Sequence, residues 1–274
     1  MPVSMPTRLV AALLPAVLLA AGCTAEEREP ESPAPSAAPK PTASAVPLPE
    51  KGACYRLSFQ DVLAPSNAAD AVRCRDEHTS MTYAVGTLDR VVDGHLLAVD
   101  SDRVLDGLAE RCPERLAELV GGTREQARLS MLRPVWFTPT LAQADAGADW
   151  FRCDVIAVAG QERLATLPRR LAGVLDSDEG RRTWGMCGTD EPDSADFERV
   201  LCSAPHAWRA VAVVAFEPGD YPGEDVVRER GQSPCEDAGR EVADDALNFR
   251  WGYEWPTREQ WTSGQNYGRC WAPD

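Results

Sequence analysis

Two histidines each follow a cysteine at the same spacing, in the patterns Cys74-x-x-x-His78 and Cys202-x-x-x-His206, which lie 128 residues apart. Histidine transfers protons and binds metal ions, and a cysteine thiolate is a nucleophile, a metal ligand or a disulfide partner. A catalytic role in proton transfer would therefore suit both places. We favour another interpretation, because a histidine that recurs in both halves of a chain fits a structural hydrogen bond at the start of a strand.

Other signatures of catalysis are missing from the sequence. His95 follows Asp93-Gly94 between two apolar pairs, as at the tip of a β-hairpin, and has no counterpart in the second half. There is no Gly-x-Ser-x-Gly, no His-Glu-x-x-His and no phosphate-binding glycine loop. Paired carboxylates stay open, because the chain has 43 acidic residues whose separations the sequence does not show. We predict no enzyme, no catalytic residue and no cofactor.

A metal site is not predicted either. No Cys-x-x-Cys pair occurs, which argues against zinc. The acidic run 176–180 resembles the start of a calcium loop, but its glycine comes one residue early, and Cys187 stands where the loop needs its last glutamate. We interpret this run as part of a solvated connector, residues 161–183.

The cysteines indicate disulfides in an exported protein. Nine are present, and setting aside Cys23 leaves four in each half. Three pairings within each half are compatible with the sequence, and we favour first with second and third with fourth, because these close moderate loops. Each bridge would stabilise the fold by about 2 to 4 kcal/mol. The predicted disulfide cysteines are Cys54, Cys74, Cys112, Cys153, Cys187, Cys202, Cys235 and Cys270.

The first residues resemble a bacterial lipoprotein leader. Arg8 precedes an apolar run from Leu9 to Leu19 that is too short to span a bilayer about 30 Å thick. The small residues Ala-Ala-Gly then stand directly before Cys23. We predict a signal peptide over 1–22 and a lipid on the Cys23 sulfur, with ordinary secretory cleavage as the alternative. The protein would then lie on the extracytoplasmic face of the cell membrane, held there by its lipid anchor.

Residues 23–50 have the composition of a disordered tether. Seven prolines lie between Thr24 and Glu50, and alanine, serine and glutamate supply most of the rest. Such a segment cannot bury enough apolar surface to offset its chain entropy, and its prolines favour an extended spacer. It would hold the folded part away from the membrane, or be a disordered arm without a spacing role.

A pattern of six residues near the end of the chain occurs twice. Pro-Thr-x-x-Gln-x-x-x-Gly-x-x-x-x-Arg-Cys begins at Pro139 and again at Pro256. This repetition predicts a tandem duplication, with one module over 51–160 and a second over 184–274. Each module reads as strands, then a helix, then strands. That order favours an α+β fold in which one helix packs on an antiparallel sheet.

Local patterns place these elements within the modules. Apolar residues at helical spacing predict a helix from Val104 to Leu119 that ends at Gly121-Gly122. In the second module, the run Ser-Pro-Cys-Glu from Ser233 has the form of a capping box, so a helix is predicted from there to about Leu247. Strands are predicted over Tyr83–Thr87, Val135–Phe137, Val211–Phe216 and Phe249–Trp255.

Aromatic residues alternate along the last of these strands, which places their rings on one face. Such a face could stack on sugar rings of a cell-wall glycan or contact a partner protein. The alternative is that the face is the core of the module, packed against its helix. With one further ring from the tail, the candidate partner-binding residues are Phe249, Trp251, Tyr253, Trp255 and Trp261.

These landmarks together resemble a known family. The second module carries the pattern through its four cysteines and through Val200, Pro205, His206, Tyr221-Pro222-Gly223, Pro256-Thr257, Trp261 and Gly264. In this combination the chain resembles the septum formation domain family of actinobacterial envelope lipoproteins. The resemblance covers both modules, and the second is the better match.

The chain departs from the family pattern at several positions. In the first module Glu77 stands in place of a proline and Ala144 in place of a tryptophan. The family often has an acidic residue three positions after the histidine, whereas Met81 and Arg209 stand there in this chain. A role tied to that carboxylate is therefore not carried over.

The resemblance implies a membrane-anchored extracytoplasmic protein linked to septation or cell-wall growth. We predict a non-enzymatic protein that binds an envelope protein or a cell-wall glycan. The alternative is an exported cell-wall hydrolase, or an inhibitor of one, with its site between the modules. A solute-binding lipoprotein is disfavoured by the two small disulfide-bonded repeats. The formal charge of −15 argues against nucleic acid and anionic membrane surfaces, both of which attract basic proteins.

Overall fold

The computed structural model describes residues 46–274, which form one compact unit. The predicted signal peptide over 1–22, the lipid site Cys23 and the first part of the tether lie outside the described residues. Those predictions therefore stay predictions. No helix among residues 46–274 is both long enough and apolar enough to cross a membrane.

The first half of the described chain forms a five-stranded antiparallel sheet with helices and a separate hairpin. In the sheet the strand order is β1-β2-β6-β5, and β7 pairs with β6, while β3 and β4 form the hairpin. In chain order the elements are β1 (Cys54–Tyr55), α1 (Phe59–Leu63), β2 (Ser80–Thr87), β3 (Val91–Val92), β4 (His95–Leu96), α2 (Asp102–Val120), α3 (Arg124–Arg128), β5 (Leu132–Phe137), α4 (Leu141–Asp145), β6 (Trp150–Gly160) and β7 (Arg163–Leu164).

The second half forms another five-stranded antiparallel sheet, in the order β11-β12-β10-β8-β9. A short 3-10 turn, Val174–Asp176, precedes it. Its elements are α5 (Asp178–Trp184), β8 (Met186–Gly188), β9 (Arg199–Leu201), β10 (Trp208–Ala215), α6 (Glu224–Val242), β11 (Gly252–Glu254), α7 (Arg258–Thr262) and β12 (Tyr267–Pro273). The predicted α+β class, with one long helix and one antiparallel sheet in each half, is confirmed.

The central strand pairs of the two sheets match in detail. The ladder between β2 and β6 is interrupted by a bulge between Thr82 and Ala84. The ladder between β10 and β12 has its bulge between Ala210 and Ala212, at the same distance of 128 residues that separates the repeated histidines. Bulges re-aim side chains and are kept as features of a fold. The shared bulge supports the interpretation of the chain as a tandem repeat.

The long helix of the first half agrees with the sequence pattern. Residues at every fourth position of α2 are buried, and the helix ends at Gly121, whose φ of 73° only glycine adopts at little cost. The buried residues are Val104, Leu108, Cys112, Leu116 and Val120. One stripe of the helix therefore faces the sheet, as its spacing predicts.

The predicted start of the second helix was wrong. Helix α6 begins at Glu224 and ends at Val242, so Pro234 lies inside it rather than at its first turn. A proline removes one backbone hydrogen bond from a helix interior. The helix continues because its buried stripe, which includes Val227 and Cys235, holds one face against the sheet over its whole length. Leu247, the predicted end, lies beyond the helix and is 97% exposed.

The predicted strand Phe249–Trp255 is shorter in the structure. Only Gly252–Glu254 pair, and they pair with residues Arg269–Trp271 of β12. On the same register Arg250 would face Pro273, which has no N–H to donate to a ladder. At the other end of the strand, Pro256 also lacks an N–H and so limits the pairing. The alternating aromatic run therefore extends beyond the strand at both ends.

The four disulfides follow the favoured pairing. They join Cys54 to Cys74, Cys112 to Cys153, Cys187 to Cys202, and Cys235 to Cys270. In each half one bridge links the long helix to the central strand of the sheet, and the other links an early strand to the segment after it. Each bridge stabilises the fold by about 2 to 4 kcal/mol.

The segment between the halves is part of the core, so the interpretation of 161–183 as a solvated connector was wrong. Leu167, Leu171 and Leu175 are 4%, 0% and 1% exposed. Gly180 is not the glycine of a calcium loop. It lies in the first turn of α5, and Ser177 caps that helix. A Cβ on Gly180 would lie 1.7 Å from the Val174 carbonyl oxygen. The segment packs into the core because the free energy gained by burying its apolar residues outweighs the preference of the neighbouring acidic residues for water.

One hydrophobic core includes residues from both halves. Met131 and Val155 of the first half belong to the same buried cluster as Trp184, Trp208 and Trp271 of the second. The backbone also joins the halves, because the Met131 N–H donates to the Trp184 carbonyl at 2.7 Å and the Met186 N–H to the Leu129 carbonyl at 2.8 Å. The two modules therefore fold against each other.

Replacing Leu171 by alanine tests this shared core. We expect Leu171→Ala to lower the free energy of unfolding by about 2 to 5 kcal/mol, because a fully buried leucine leaves a cavity. The matched control is Leu247→Ala at an exposed leucine, which should change stability by less than about 0.5 kcal/mol. Urea unfolding followed by tryptophan fluorescence measures both. Equal effects of the two substitutions would contradict the burial of residues 161–183 in the core.

Candidate functional site

The aromatic residues near the end of the chain divide into a buried pair and a partly exposed group. Tyr253 is 8% exposed, and its hydroxyl donates to the Val227 carbonyl at 3.0 Å. Its ring lies over Gly231 of α6, where an added Cβ would come within 2.0 Å of two ring atoms. The central ring of the alternating run is thus a core residue packed on the helix.

Trp261 is the second buried ring. It is 9% exposed, its indole Nε1 donates to the Gly219 carbonyl at 2.6 Å, and its ring centroid lies 5.6 Å from those of Phe216 and Tyr221. It stands on α7, which opens with a capping box between Thr257 and Gln260. The equivalent box between Thr140 and Gln143 opens α4. The repeated tail pattern therefore sets a helix start.

The remaining three rings, Phe249, Trp251 and Trp255, are half-buried and lie along α6; we call them the aromatic rim. Trp251 packs against Gly239, whose added Cβ would lie 2.6 Å from the Trp251 Cβ. Arginines cover the other two. The guanidinium of Arg240 lies 5.1 Å from the Phe249 ring centroid, and that of Arg228 lies 5.7 Å from the Trp255 centroid. The aromatic rim is the part of the predicted face that a partner can reach.

A glycine-to-alanine pair tests whether Tyr253 is fixed by the helix. Gly231→Ala should destabilise the fold, because the new methyl group displaces the buried Tyr253 ring. Gly107→Ala in α2 is the control, since no atom lies within 4 Å of its added Cβ. Alanine there should stabilise by about 0.5 to 1 kcal/mol. Thermal unfolding of both variants gives the comparison, and a neutral Gly231→Ala would mean that the ring is free to move.

The two repeated histidines have the same first contact and different second contacts. His206 Nδ1 lies 2.7 Å from the Ala204 carbonyl, and His78 Nδ1 lies 2.9 Å from the Asp76 carbonyl. Because a carbonyl only accepts, each Nδ1 carries the hydrogen. In both halves the ring thus closes a short turn before β10 or β2. This geometry agrees with the predicted structural role.

The second ring nitrogen distinguishes the two copies. His206 Nε2 lies 2.8 Å from Asp274 Oδ2, which also accepts from Arg209 Nε at 2.8 Å. His78 is 1% exposed, and its Nε2 has no hydrogen-bond partner among the described residues. By the spacing of the tail pattern, Ala157 occupies the place of Asp274. The hydrogen-bond network of histidine, aspartate and arginine is therefore present in the second copy only.

One group of metal-ligand types occurs in this region. Single atoms of Cys187, His206 and Asp274 lie within 4.8 Å of one another. Cys187 is bonded to Cys202, so its sulfur is not a thiolate and does not bind a metal ion. Asp274 is already held by Arg209 and His206. The arrangement is a hydrogen-bonded ion pair at the edge of the sheet.

The Asp274 network makes a pH-dependent contribution to stability. Hydrogen bonding from Arg209 holds the pKa of the Asp274 carboxyl below its ordinary value of 3.8; partial burial opposes this, and His206 adds to it. A lowered pKa in the folded state means that the contribution is present above about pH 4. It is lost as the pH falls through the folded-state value.

We expect Asp274→Asn to lower the free energy of unfolding by up to about 1 kcal/mol at pH 6, since a third of the side chain is exposed and the pair is screened. The difference from the unsubstituted protein should become smaller as the pH falls below about 4. Asp244→Asn is the control, at an exposed aspartate with no ion pair among the described residues. Urea titrations over this pH range check both, and a difference independent of pH would contradict the assignment.

A group of basic residues, of which only Arg269 belongs to the repeated tail pattern, lies where the halves meet. Arg128 and Arg269 place their guanidinium carbons 4.2 and 5.1 Å from the Tyr267 ring centroid. Glu254 forms an ion pair with Arg199 and lies 3.8 Å from Arg269 Nη1. The four arginines of this group, which we call the arginine cluster, are Arg128, Arg133, Arg199 and Arg269. The other three arginines belong to no motif, so the sequence does not indicate that the four meet.

Beside the arginine cluster, the described residues form a cavity of about 540 Å³ that opens to the surface. Its walls come from β5 and β6 on one side and from the loop before β9 on the other. Residues of both halves line it, among them Arg133, Val158, Gly160, Phe197 and Arg199. This cavity, the inter-module cleft, requires the docking of the two halves.

Comparison with known proteins gives one finding for the fold as a whole. The family model described as septum formation matches residues 51–270, which is nearly all of the described chain. No curated protein and no solved structure matches the chain. The match spans both halves and agrees with the resemblance that the cysteines, His206 and the tail pattern indicated.

Proposed function

The chain belongs to the septum formation family, and we propose that it acts as a non-enzymatic binding protein of the cell envelope during septum formation. The family description points to a role in cell division. The family domain takes up residues 51–270, which is nearly all of the described chain. We look for the binding role in the surfaces and cavities of the two docked modules.

An envelope location is part of this proposal. Four disulfides favour an oxidising compartment outside the cytoplasm. The leader over 1–22 and the lipid on Cys23 would hold the protein on the outer face of the cell membrane. The tether over 23–50 would then give the folded part reach toward the wall.

The observation that carries the binding role is the aromatic rim. Three half-buried rings contact different turns of α6, and Arg228 and Arg240 lie over two of them. Aromatic and arginine side chains are enriched at protein interfaces and supply much of their binding energy. The same rings would stack on sugar rings of a glycan. A protein or glycan of the growing wall is the proposed partner.

The histidines support a non-enzymatic role. His78 is almost fully buried, and both ring nitrogens of His206 already have partners. A general base needs a ring nitrogen that can reach a substrate proton. Neither histidine offers one in this arrangement.

A cell-wall hydrolase is the second candidate, because two carboxylates line the inter-module cleft. Glu198 and Asp196 both face it. A pair of carboxylates is the usual requirement for glycoside cleavage. However, Glu198 Oε1 accepts a hydrogen bond from the Gln161 backbone N–H. One of the two carboxylates is therefore already engaged within the protein. Release of soluble fragments from labelled peptidoglycan by the purified protein would favour the hydrolase and contradict the binding role.

Removal of the aromatic rim tests the proposed function. The double variant Trp251→Ala/Trp255→Ala should lose the partners that the unsubstituted protein captures from the envelope of dividing cells after crosslinking. With soluble glycan fragments, we expect a saturable change in tryptophan fluorescence for the unsubstituted protein and binding at least tenfold weaker in the variant.

The control is Trp136→Ala, which removes a half-buried indole from β5 in the other half. It should keep the same partners. Circular dichroism of both variants confirms that they are folded. If the double variant retained every captured partner and any glycan affinity, the aromatic rim would not be the binding surface.

A further inference from the structure

Arg133 is the residue of the inter-module cleft with free hydrogen-bond donors. Its Nη1 donates to the Ser130 carbonyl at 2.7 Å and to the Leu132 carbonyl at 2.8 Å. Among the contacts of residues 46–274, Arg133 forms no ion pair, and Nη1 is its only side-chain nitrogen with a hydrogen bond. The backbone contacts hold the guanidinium in place, and the opposite edge of the group is left for a ligand.

The two free nitrogens of Arg133 are adjacent on the guanidinium. Nε–H and Nη2–H point the same way and form a side-on fork. Two oxygens of a carboxylate or a phosphate match this fork and accept both hydrogen bonds at once. A fixed fork of this kind recognises an oxyanion better than a single mobile ammonium group does.

The surroundings of Arg133 increase the advantage of binding an anion. Partial burial, followed by repulsion from Arg269 and Arg199, lowers the pKa of Arg133, while Tyr267 opposes this. An arginine stays charged at neutral pH in spite of such a shift. The positive charges therefore remain close together, and a bound anion would reduce their repulsion.

The acidic groups near the cleft leave Arg133 unneutralised. Glu254 is shared by Arg199 and Arg269. Glu198 accepts from the Gln161 backbone, and Asp196 is exposed. None of the three forms an ion pair with Arg133. In a chain with a net charge of −15, this is a local site of opposite sign.

We propose that the inter-module cleft binds an oxyanion, either a carboxylate or a phosphate group, through the Arg133 fork with Arg199 beside it. Phe197 and Val158 supply an apolar wall for the rest of the ligand. The cavity of about 540 Å³ is larger than one phosphate and lies in the range of small-molecule sites. The site is separate from the aromatic rim, so the proposal does not rest on the proposed function.

Two sources in a cell envelope present this chemistry. Peptides carry carboxylates, and anionic wall polymers carry phosphodiesters. The Arg133 fork accepts either group. Succinate and inorganic phosphate are therefore the two probes, and the tighter one identifies the source.

The experiment is an NMR titration of the folded, disulfide-bonded protein with each probe at constant ionic strength. We expect saturable shifts confined to the cleft, at the amides of Gly160 and Phe197 and at the Arg133 Nε–H. Arg133→Gln should weaken the binding at least tenfold. Arg199→Gln should weaken it less, because Glu254 already balances much of that charge.

The matched control is Arg115→Gln, which removes an exposed arginine of α2 and should leave the affinity unchanged. Arg133→Lys keeps the charge without the fork, so binding weakened as in Arg133→Gln would support recognition by the fork. Dispersed amide spectra show that each variant is folded. Shifts that never saturate for either probe, or equal affinity in Arg133→Gln and the unsubstituted protein, would overturn the proposal.

Discussion

Burial of one apolar core by both halves of the chain is the constraint on which the other features depend. Neither sheet covers its inner face with its own helix alone. Leu171, from the segment between the halves, and Trp271, from the last strand, are both fully buried in the common cluster. The disulfides fix each long helix on its sheet, and the core then fixes the two sheets to each other. The result is one compact pair of modules, with the aromatic rim along α6 and the inter-module cleft at the junction.

The two copies show how a repeated scaffold diverges without changing its fold. By the cysteine spacing, Gly231 of α6 takes the place of Leu108 in α2, and the Tyr253 ring fills the space that the missing side chain leaves. The histidine turn is kept in both halves, but only the second has an aspartate that reaches the ring. The side-chain volume between helix and sheet is thus conserved, while the polar groups differ. The reason is that a close-packed interior tolerates the transfer of volume from one side chain to a facing one better than a net loss of volume.

The arginine cluster is a consequence of docking rather than of either module. Arg133 comes from the first half, whereas Arg199 and Arg269 come from the second. In an extended chain these charges would be far apart and fully hydrated. The fold holds these arginines together with a single shared carboxylate, Glu254. The electrostatic repulsion that remains among them is consistent with a site that binds a ligand. The aromatic rim has a different origin, since all its rings come from one short segment of the second half.

Local spacing in the sequence predicted the four-residue stripe of α2 with its glycine stop and the α+β class, and it favoured the pairing of neighbouring cysteines among three possibilities in each half. It also indicated the family, through landmarks that a disulfide-bonded fold needs twice. Other features became clear only from the fold: the start of α6, the burial of Leu171, which of the alternating rings are core, and the meeting of Arg133 with Arg199. The physical reason is that each of these depends on surface supplied by distant residues, and long-range burial overrides local propensity wherever the two disagree.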